Sequence, residues 1–200
     1  MRYDMQFEGL IFDLDGTLAD TMPAHYLAWR EITQKHGLKF SEERFYSLGG
    51  VPTSRIFSIL ADEQGVSLDP GACAIEKEET FISYLSEVEP IQPVLDVVRE
   101  NYDNVPMAVA TGAMHWVMER ILNQLDIHHY FTAFVSSEDT VRHKPFPDVF
   151  LEAARRLGVP AEKCCVYEDA QLGIEAGQAA GMHVVDVRDF HTPRRITAGA

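Results

Sequence analysis

Two aspartates one residue apart, Asp13 and Asp15, end an apolar run and are followed by Gly16 and Thr17. Leu10, Ile11 and Phe12 before them read as a buried strand. Both carboxylates therefore arrive at the strand's carboxyl end, where open α/β sheets bind ligands. One carboxylate there can attack an electrophile, and one two residues later can move protons or hold a metal. Three later segments end in the same way. Thr111-Gly112 closes the run Met107-Ala108-Val109-Ala110, and Glu168-Asp169 closes the run Cys164-Cys165-Val166-Tyr167. Lys144 lies in His143-Lys144-Pro145-Phe146-Pro147-Asp148, between a third strand and the next helix.

This set suits phosphoryl transfer to a carboxylate. A carboxylate nearing a phosphate dianion meets repulsion of about 4 kcal/mol per charge pair at ~4 Å and an effective dielectric of ~20. Positive charge must offset it. Asp13, Asp169 and Glu168 suit Mg²⁺, a hard ion that takes oxygen ligands. Lys144 adds a point charge, while Thr111 and backbone N–H groups near Leu14, Asp15 and Gly112 can donate to phosphate oxygens. Each group alone also has a plainer reading. Asp13 and Asp15 can be a solvated turn, Thr111 a capping hydroxyl, Lys144 a surface lysine, and Glu168-Asp169 an acidic helix start. A calcium loop beginning at Asp13 fails, because its sixth and twelfth positions hold Leu18 and Ala24 instead of Gly and Glu. Four such groups in chain order, each at a strand end, argue for one site.

The elements that must position these groups alternate. From Pro93 onward, helical stripes (Val94, Leu95, Val98; Val117, Ile121, Leu122, Leu125; Phe150, Ala153, Ala154, Leu157) separate short apolar strands, the last of them His183 to Val187. Continuous apolar strands between helices indicate a doubly wound parallel α/β sheet covered on both faces. Residues 21 to about 92 read as helical throughout and form an insertion after the first strand, with residues 1–20 and 93–200 as the core. The ligand cleft is expected between the two. The tail from Asp189 carries no apolar period.

Bulk properties narrow the partners. The 200 residues include 17 basic and 31 acidic ones, a formal charge of −14. That balance repels nucleic acid and anionic lipid, and a phosphorylated substrate needs a local positive site. No apolar run approaches the ~20 residues of a membrane span. Cys73, Cys164 and Cys165 lack CxxC spacing and read as buried free thiols of a reducing compartment, the cytoplasm. A monomer is the default.

On these residues the chain resembles the haloacid-dehalogenase-like (HAD) hydrolase superfamily, in its branch of β-phosphoglucomutase and fructose-1-phosphate phosphatase-type enzymes. The likeness spans about residues 8–188. It rests on Asp13-Leu14-Asp15-Gly16-Thr17, Thr111, Lys144 in its Lys-Pro-x-Pro-Asp context, and Glu168-Asp169 with the run from Val166 to Met182. The resemblance implies that Asp13 is the nucleophile of an aspartyl-phosphate mechanism. Asp15 would protonate the leaving sugar oxygen, then activate water, its carbonyl also binding Mg²⁺. Asp169 would be a metal ligand, with Glu168 a further ligand or a support to one. Thr111, Gly112, Lys144 and the Leu14 backbone would hold the phosphoryl group, and the insertion would be a helical cap. Asp15 also disfavours carbon–halogen cleavage, since dehalogenases of this fold lack that acid.

Within the branch, Thr21, His25 and Trp29 resemble the mutase's hinge and first cap helix, and Lys77 falls near a substrate-contacting cap lysine. Yet the loop Gly50-Val51-Pro52-Thr53 has Thr53 where the mutase places an arginine for a second phosphate, and Arg55 is two residues off. Hydrolysis of a small sugar monophosphate is therefore the expectation, with the mutase as alternative. A non-catalytic phospho-acceptor module is a distant third, because its acceptor aspartate lies in a later strand.

Overall fold

The structure, a computed structural model, describes residues 7–48 and 51–196. The chain forms two compact units. One holds the residues up to Asp20 and Glu89–Thr192; the other holds Thr21–Val88 and the residues from Pro193.

The first unit is built on β1 (Gly9–Phe12), whose four residues are all buried. Its neighbours are β4 (Met107–Ala110) and β6 (Cys164–Glu168), with β5 (Ala133–Val135) and β7 (His183–Asp186) outside them, giving the order β5-β4-β1-β6-β7. All four pairings are parallel. Side chains alternate across the sheet. One face sends Ile11, Ala108, Val135 and Val166 into a core with Phe150 and Ala153 of α7 (Asp148–Leu157) and Ala176 of α8 (Gln171–Ala179). On the other face Phe12 stacks on Tyr167, ring centroids 4.9 Å apart, and meets the edge of Phe131 at 6.0 Å. Helices α5 (Gln92–Asn101) and α6 (His115–Gln124) complete the strand–helix alternation. The doubly wound parallel fold read from the apolar runs is the fold found.

One element escaped the pattern. β2 (Ala19–Asp20), just before the stretch whose sequence reads as helical, pairs antiparallel with β3 (Glu89–Pro90), near that stretch's end. Two-residue strands leave no periodicity to detect. The ladder joins the points where the chain leaves and re-enters the sheet unit.

The second unit packs α1 (Met22–Lys35), α2 (Glu42–Ser47), α3 (Thr53–Gln64) and α4 (Pro70–Ser83) around an aromatic core. Trp29 lies 4.5 Å from Phe57 and 5.1 Å from Phe40, centroid to centroid. Local chemistry starts and stops these helices. Ser41 Oγ accepts the Arg44 N–H at the start of α2, Asp69 Oδ1 accepts the N–H groups of Gly71 and Ala72 ahead of α4, and Gly65 ends α3 at φ +65°. Residues 193–196, in the tail first grouped with the sheet by sequence order, belong to this helical unit, where Ile196 packs against its core. A four-residue segment held by single contacts has no period for a sequence reading to find.

The loop carrying Lys144 is fixed at its base by Arg156 of α7. Its guanidinium donates to Asp139 Oδ1 at 2.5 Å, to Glu152 Oε1 at 2.7 Å and to the Phe134 carbonyl. Ser136 and Asp139 form a capping box at the start of the same loop. Burial pushes the Asp139 carboxyl up, but the Ser136 N–H and Arg156 outweigh it and hold the group at about 2. Arg155 and then Arg156 bring Glu152 to about 2 as well. Carboxyls lowered in the folded state contribute stability above their unfolded pKa, and lose it as pH falls through the folded value. Arg156→Met should therefore lower the melting temperature by roughly 2–4 °C at pH 7, about 1 kcal/mol for a partly exposed cluster. The gap to the unmodified protein should close as melts are repeated from pH 5 down to about pH 2. A gap that is constant with pH would contradict the electrostatic account.

Candidate functional site

Register places the chemistry. Phe12 pairs with Val109 on one side and Tyr167 on the other, so Asp13 follows β1 beside the ends of β4 and β6. The Asp13 N–H donates to the Tyr167 carbonyl at 3.0 Å, which extends the ladder by one residue and fixes the carboxylate's root. The next turn is tight: Leu14's carbonyl accepts N–H groups from Thr17, Leu18 and Ala19, and Gly16 N–H donates to Ala19 O at 2.8 Å. Asp15 stands half-buried at this turn.

Lys144 closes the site from the β5–α7 loop. Its Nζ donates to Asp13 Oδ1 at 2.7 Å and to Glu168 Oε1 at 2.6 Å, and it lies 4.9 Å from the Phe150 ring centroid. Glu168 is almost wholly buried; its other oxygen accepts the Ala170 N–H at 2.6 Å. Burial lowers the Lys144 pKa, but Asp13 and Glu168 outweigh it and hold the ammonium charged, well above its ordinary value. Burial raises Asp13 above the usual carboxylate range against the pull of Lys144, with Glu168, Asp169 and Asp15 adding to the rise. Asp169 is pushed up to about 7, by burial first and Glu168 second, although Thr17 Oγ1 donates to it at 3.1 Å. One ammonium thus serves a group of four carboxylates.

That surplus of negative charge is what a divalent cation would meet. Asp13, Glu168 and Asp169 can each offer an oxygen, all within 4.8 Å of one another. The backbone makes room for them. Gly16 sits at φ +86°, and a Cβ there would lie 2.3 Å from Asp169 Oδ2. An all-oxygen, carboxylate-rich set fits a hard ion such as Mg²⁺ better than a thiophilic one.

Thr111 follows β4, buried, with its N–H bonded to Val135 O and its Oγ1 accepting the Ala113 N–H at 3.0 Å. That leaves the hydroxyl proton to donate to a ligand. Gly112 beside it is exposed, with open space where a Cβ would be.

The helical unit gathers a second polar cluster. Lys77, 2% exposed, lies with Nζ 2.7 Å from His25 Nδ1 and 3.0 Å from Glu78 Oε1, and Thr53 Oγ1 donates to the same Glu78 oxygen at 3.1 Å. His25 stacks on Phe81 with centroids 3.9 Å apart. Trp29 is buried in the aromatic core and Arg55 is exposed. Gly50 lies outside the described residues. Two groups escaped the sequence reading. Glu78 links Thr53 to Lys77, and its adjacency to Lys77 was the available hint. Gly173 of α8 is the other, since a Cβ there would lie 1.7 Å from Glu168 Oε1; a small-residue helix does not reveal which glycine is needed for space.

A profile of the haloacid dehalogenase-like hydrolase family matches residues 10–187. Fructose-1-phosphate phosphatase YqaB of Escherichia coli K12 is 45% identical over 184 residues, covering 92% of this chain and 97% of that protein. A phosphorylated carbohydrates phosphatase of Thermotoga maritima is 31% identical over 179 residues, 88% of this chain and 82% of that one. Among solved structures, a β-phosphoglucomutase from Clostridium difficile superposes with a TM-score of 0.76 at 28% identity, covering 90% of this chain and 84% of that one.

Gly173 offers a test with a reversed sign. Glycine to alanine inside a helix ordinarily stabilises by up to ~1 kcal/mol. Here the new methyl would strike a buried carboxylate, and overpacking of that kind costs about 1–3 kcal/mol. Gly173→Ala should therefore melt roughly 2–8 °C lower than the unmodified protein in a thermal scan. A higher melting temperature would show that Glu168 does not occupy that space.

Proposed function

Since the chain belongs to the haloacid dehalogenase-like hydrolase family and is a phosphoric monoester hydrolase of it, we propose that it hydrolyses a small sugar monophosphate resembling fructose 1-phosphate, with Mg²⁺ and through a phosphorylated Asp13. The observation that carries this reading is the Asp13–Lys144–Glu168 bridge at the sheet's carboxyl edge. An ammonium bonded to the attacking carboxylate is also within reach of the phosphoryl oxygens that carboxylate must approach. The identity to the fructose-1-phosphate phosphatase over nearly its full length supports the substrate class.

In this mechanism an Asp13 oxygen attacks phosphorus in line with the sugar oxygen. Asp15 gives its proton to that leaving oxygen, then takes one from the water that cleaves the aspartyl-phosphate. Lys144, the Thr111 hydroxyl and the N–H groups of Leu14 and Gly112 hold the phosphoryl oxygens. Asp13, Asp169, Glu168 and the Asp15 carbonyl would hold Mg²⁺, which when bound neutralises charge on the transferring group. His25, Lys77, Thr53 and Gly50 would select the sugar. The three buried free thiols fit a cytoplasmic setting, and no helix among the described residues is long and apolar enough to cross a membrane.

The test is inorganic phosphate release across a panel of hexose and pentose phosphates that includes fructose 1-phosphate and β-glucose 1-phosphate. Glucose 6-phosphate is assayed in parallel with a bisphosphate primer present. Release with Mg²⁺ that stops with EDTA and is abolished in Asp13→Asn is the expected result. Asp15→Asn should lower kcat by roughly 10²–10⁴-fold, the range for loss of general acid–base catalysis. Glucose 6-phosphate appearing faster than phosphate would instead identify a mutase.

A further inference from the structure

The chain passes between its two units three times, at Asp20–Thr21, Val88–Glu89 and Thr192–Pro193. The first two crossings bound the insertion. The third follows the last strand of the sheet, and the few residues beyond it make five separate contacts with the helical unit. Tyr46 of α2 donates its hydroxyl proton to the Arg194 carbonyl at 3.0 Å, and the Arg195 guanidinium lies 3.6 Å from the Tyr46 ring centroid. Arg194 Nη2 donates to the Glu87 carbonyl at 3.0 Å, at the end of the turn that follows α4. Glu42, whose side chain is buried, accepts the Ile196 N–H at 2.7 Å. The Ile196 side chain packs against the apolar core of the same unit.

We infer that residues 193–196 are an intramolecular strap, and that the helical unit carries a docking site for an Arg-Arg-aliphatic segment. Chemistry on both sides supports it. A buried carboxylate requires hydrogen-bond donors, and the strap brings a backbone N–H to Glu42. A tyrosine presents a hydroxyl and a π face to one short segment, and successive strap residues use both. Two of the strap's partners, Glu42 and Tyr46, lie on α2, a helix of six residues. Helices this short are marginal by themselves and depend on tertiary contacts. The strap is thus a support of α2, held close to it by its covalent link to the sheet unit at high effective concentration. Because α2 leads into the loop before Thr53, the strap also steadies a residue assigned above to the sugar; that second consequence rests on the sugar-phosphatase reading.

Hydrogen exchange in the full-length protein tests the strap directly. In Arg194→Ser/Arg195→Ser/Ile196→Ser, amides of residues 42–48 should exchange at least about tenfold faster, while those of β1 and β6 stay unchanged. A chain ending at Thr192 should behave alike, and a synthetic peptide of residues 191–196 should restore protection at millimolar concentration, the range of a tethered segment. Unchanged protection over 42–48 in the triple variant overturns the strap, as does a peptide without effect. Phosphate release measured on the same samples separates the two claims. With the strap gone, KM for fructose 1-phosphate should rise while kcat holds, and a loosened α2 with unchanged KM overturns the link to Thr53. A protein whose α2 loosens as expected, yet which hydrolyses no sugar phosphate even unmodified, keeps the strap and removes the phosphatase reading.

Discussion

Lys144 sets the terms for everything around it. Its ammonium is bonded to two carboxylates, Asp13 and Glu168, with Asp15 and Asp169 adding further negative charge close by. A group of carboxylates this dense and this buried is unfavourable without compensation, since each raises the cost of ionising the others. Remove the ammonium and Asp13 and Glu168 lose the cation bonded to them. Leave it, and Asp13 and Asp169 still titrate above the usual carboxylate range, so the acids outnumber the charge that offsets them. That imbalance makes it a receptacle for a cation and, with the cation, for a phosphoryl group.

Several structural details then read as one requirement, which is to hold acids and base in register. The parallel ladder on both sides of β1 fixes where Asp13 begins, and its own N–H bond to Tyr167 continues the ladder past the strand. Arg156 anchors the loop from which Lys144 reaches in. Gly16 and Gly173 are absences of side chain where Asp169 and Glu168 must lie. Thr17 steadies Asp169 from the turn that presents Asp15. None of these groups needs to touch a substrate, yet each limits how far a reacting group can stray, and misplacement by about 1 Å is costly in catalysis.

Much of this was legible in the amino-acid sequence because strands and their polar ends are local. Leu10-Ile11-Phe12 before Asp13, and Cys164 to Tyr167 before Glu168, state both the strand and what it delivers. The parallel order follows from alternation with helices whose apolar stripes are long enough to count. What stayed hidden depends on contacts between distant residues. No spacing relates Gly173 to the carboxylate it accommodates, or Arg156 to Asp139 across seventeen positions. The two-residue strands β2 and β3 are too short to show a period, and residues 193–196 are held by single hydrogen bonds, a ring contact and one apolar side chain. Lys77 is legible as a candidate cap residue, but its surroundings are not: the sequence does not show that His25, Glu78 and Phe81 enclose it.

The central claim is that phosphorus passes through Asp13 and does not go directly to water. The stereochemical course at phosphorus tests this most directly, using a sugar phosphorothioate made chiral with oxygen isotopes and hydrolysed in labelled water. Transfer to Asp13 followed by attack of water inverts phosphorus twice, so the account predicts net retention. Net inversion would mean a single displacement by water, and would contradict the role assigned to Asp13 and the purpose given to the charge arrangement around it.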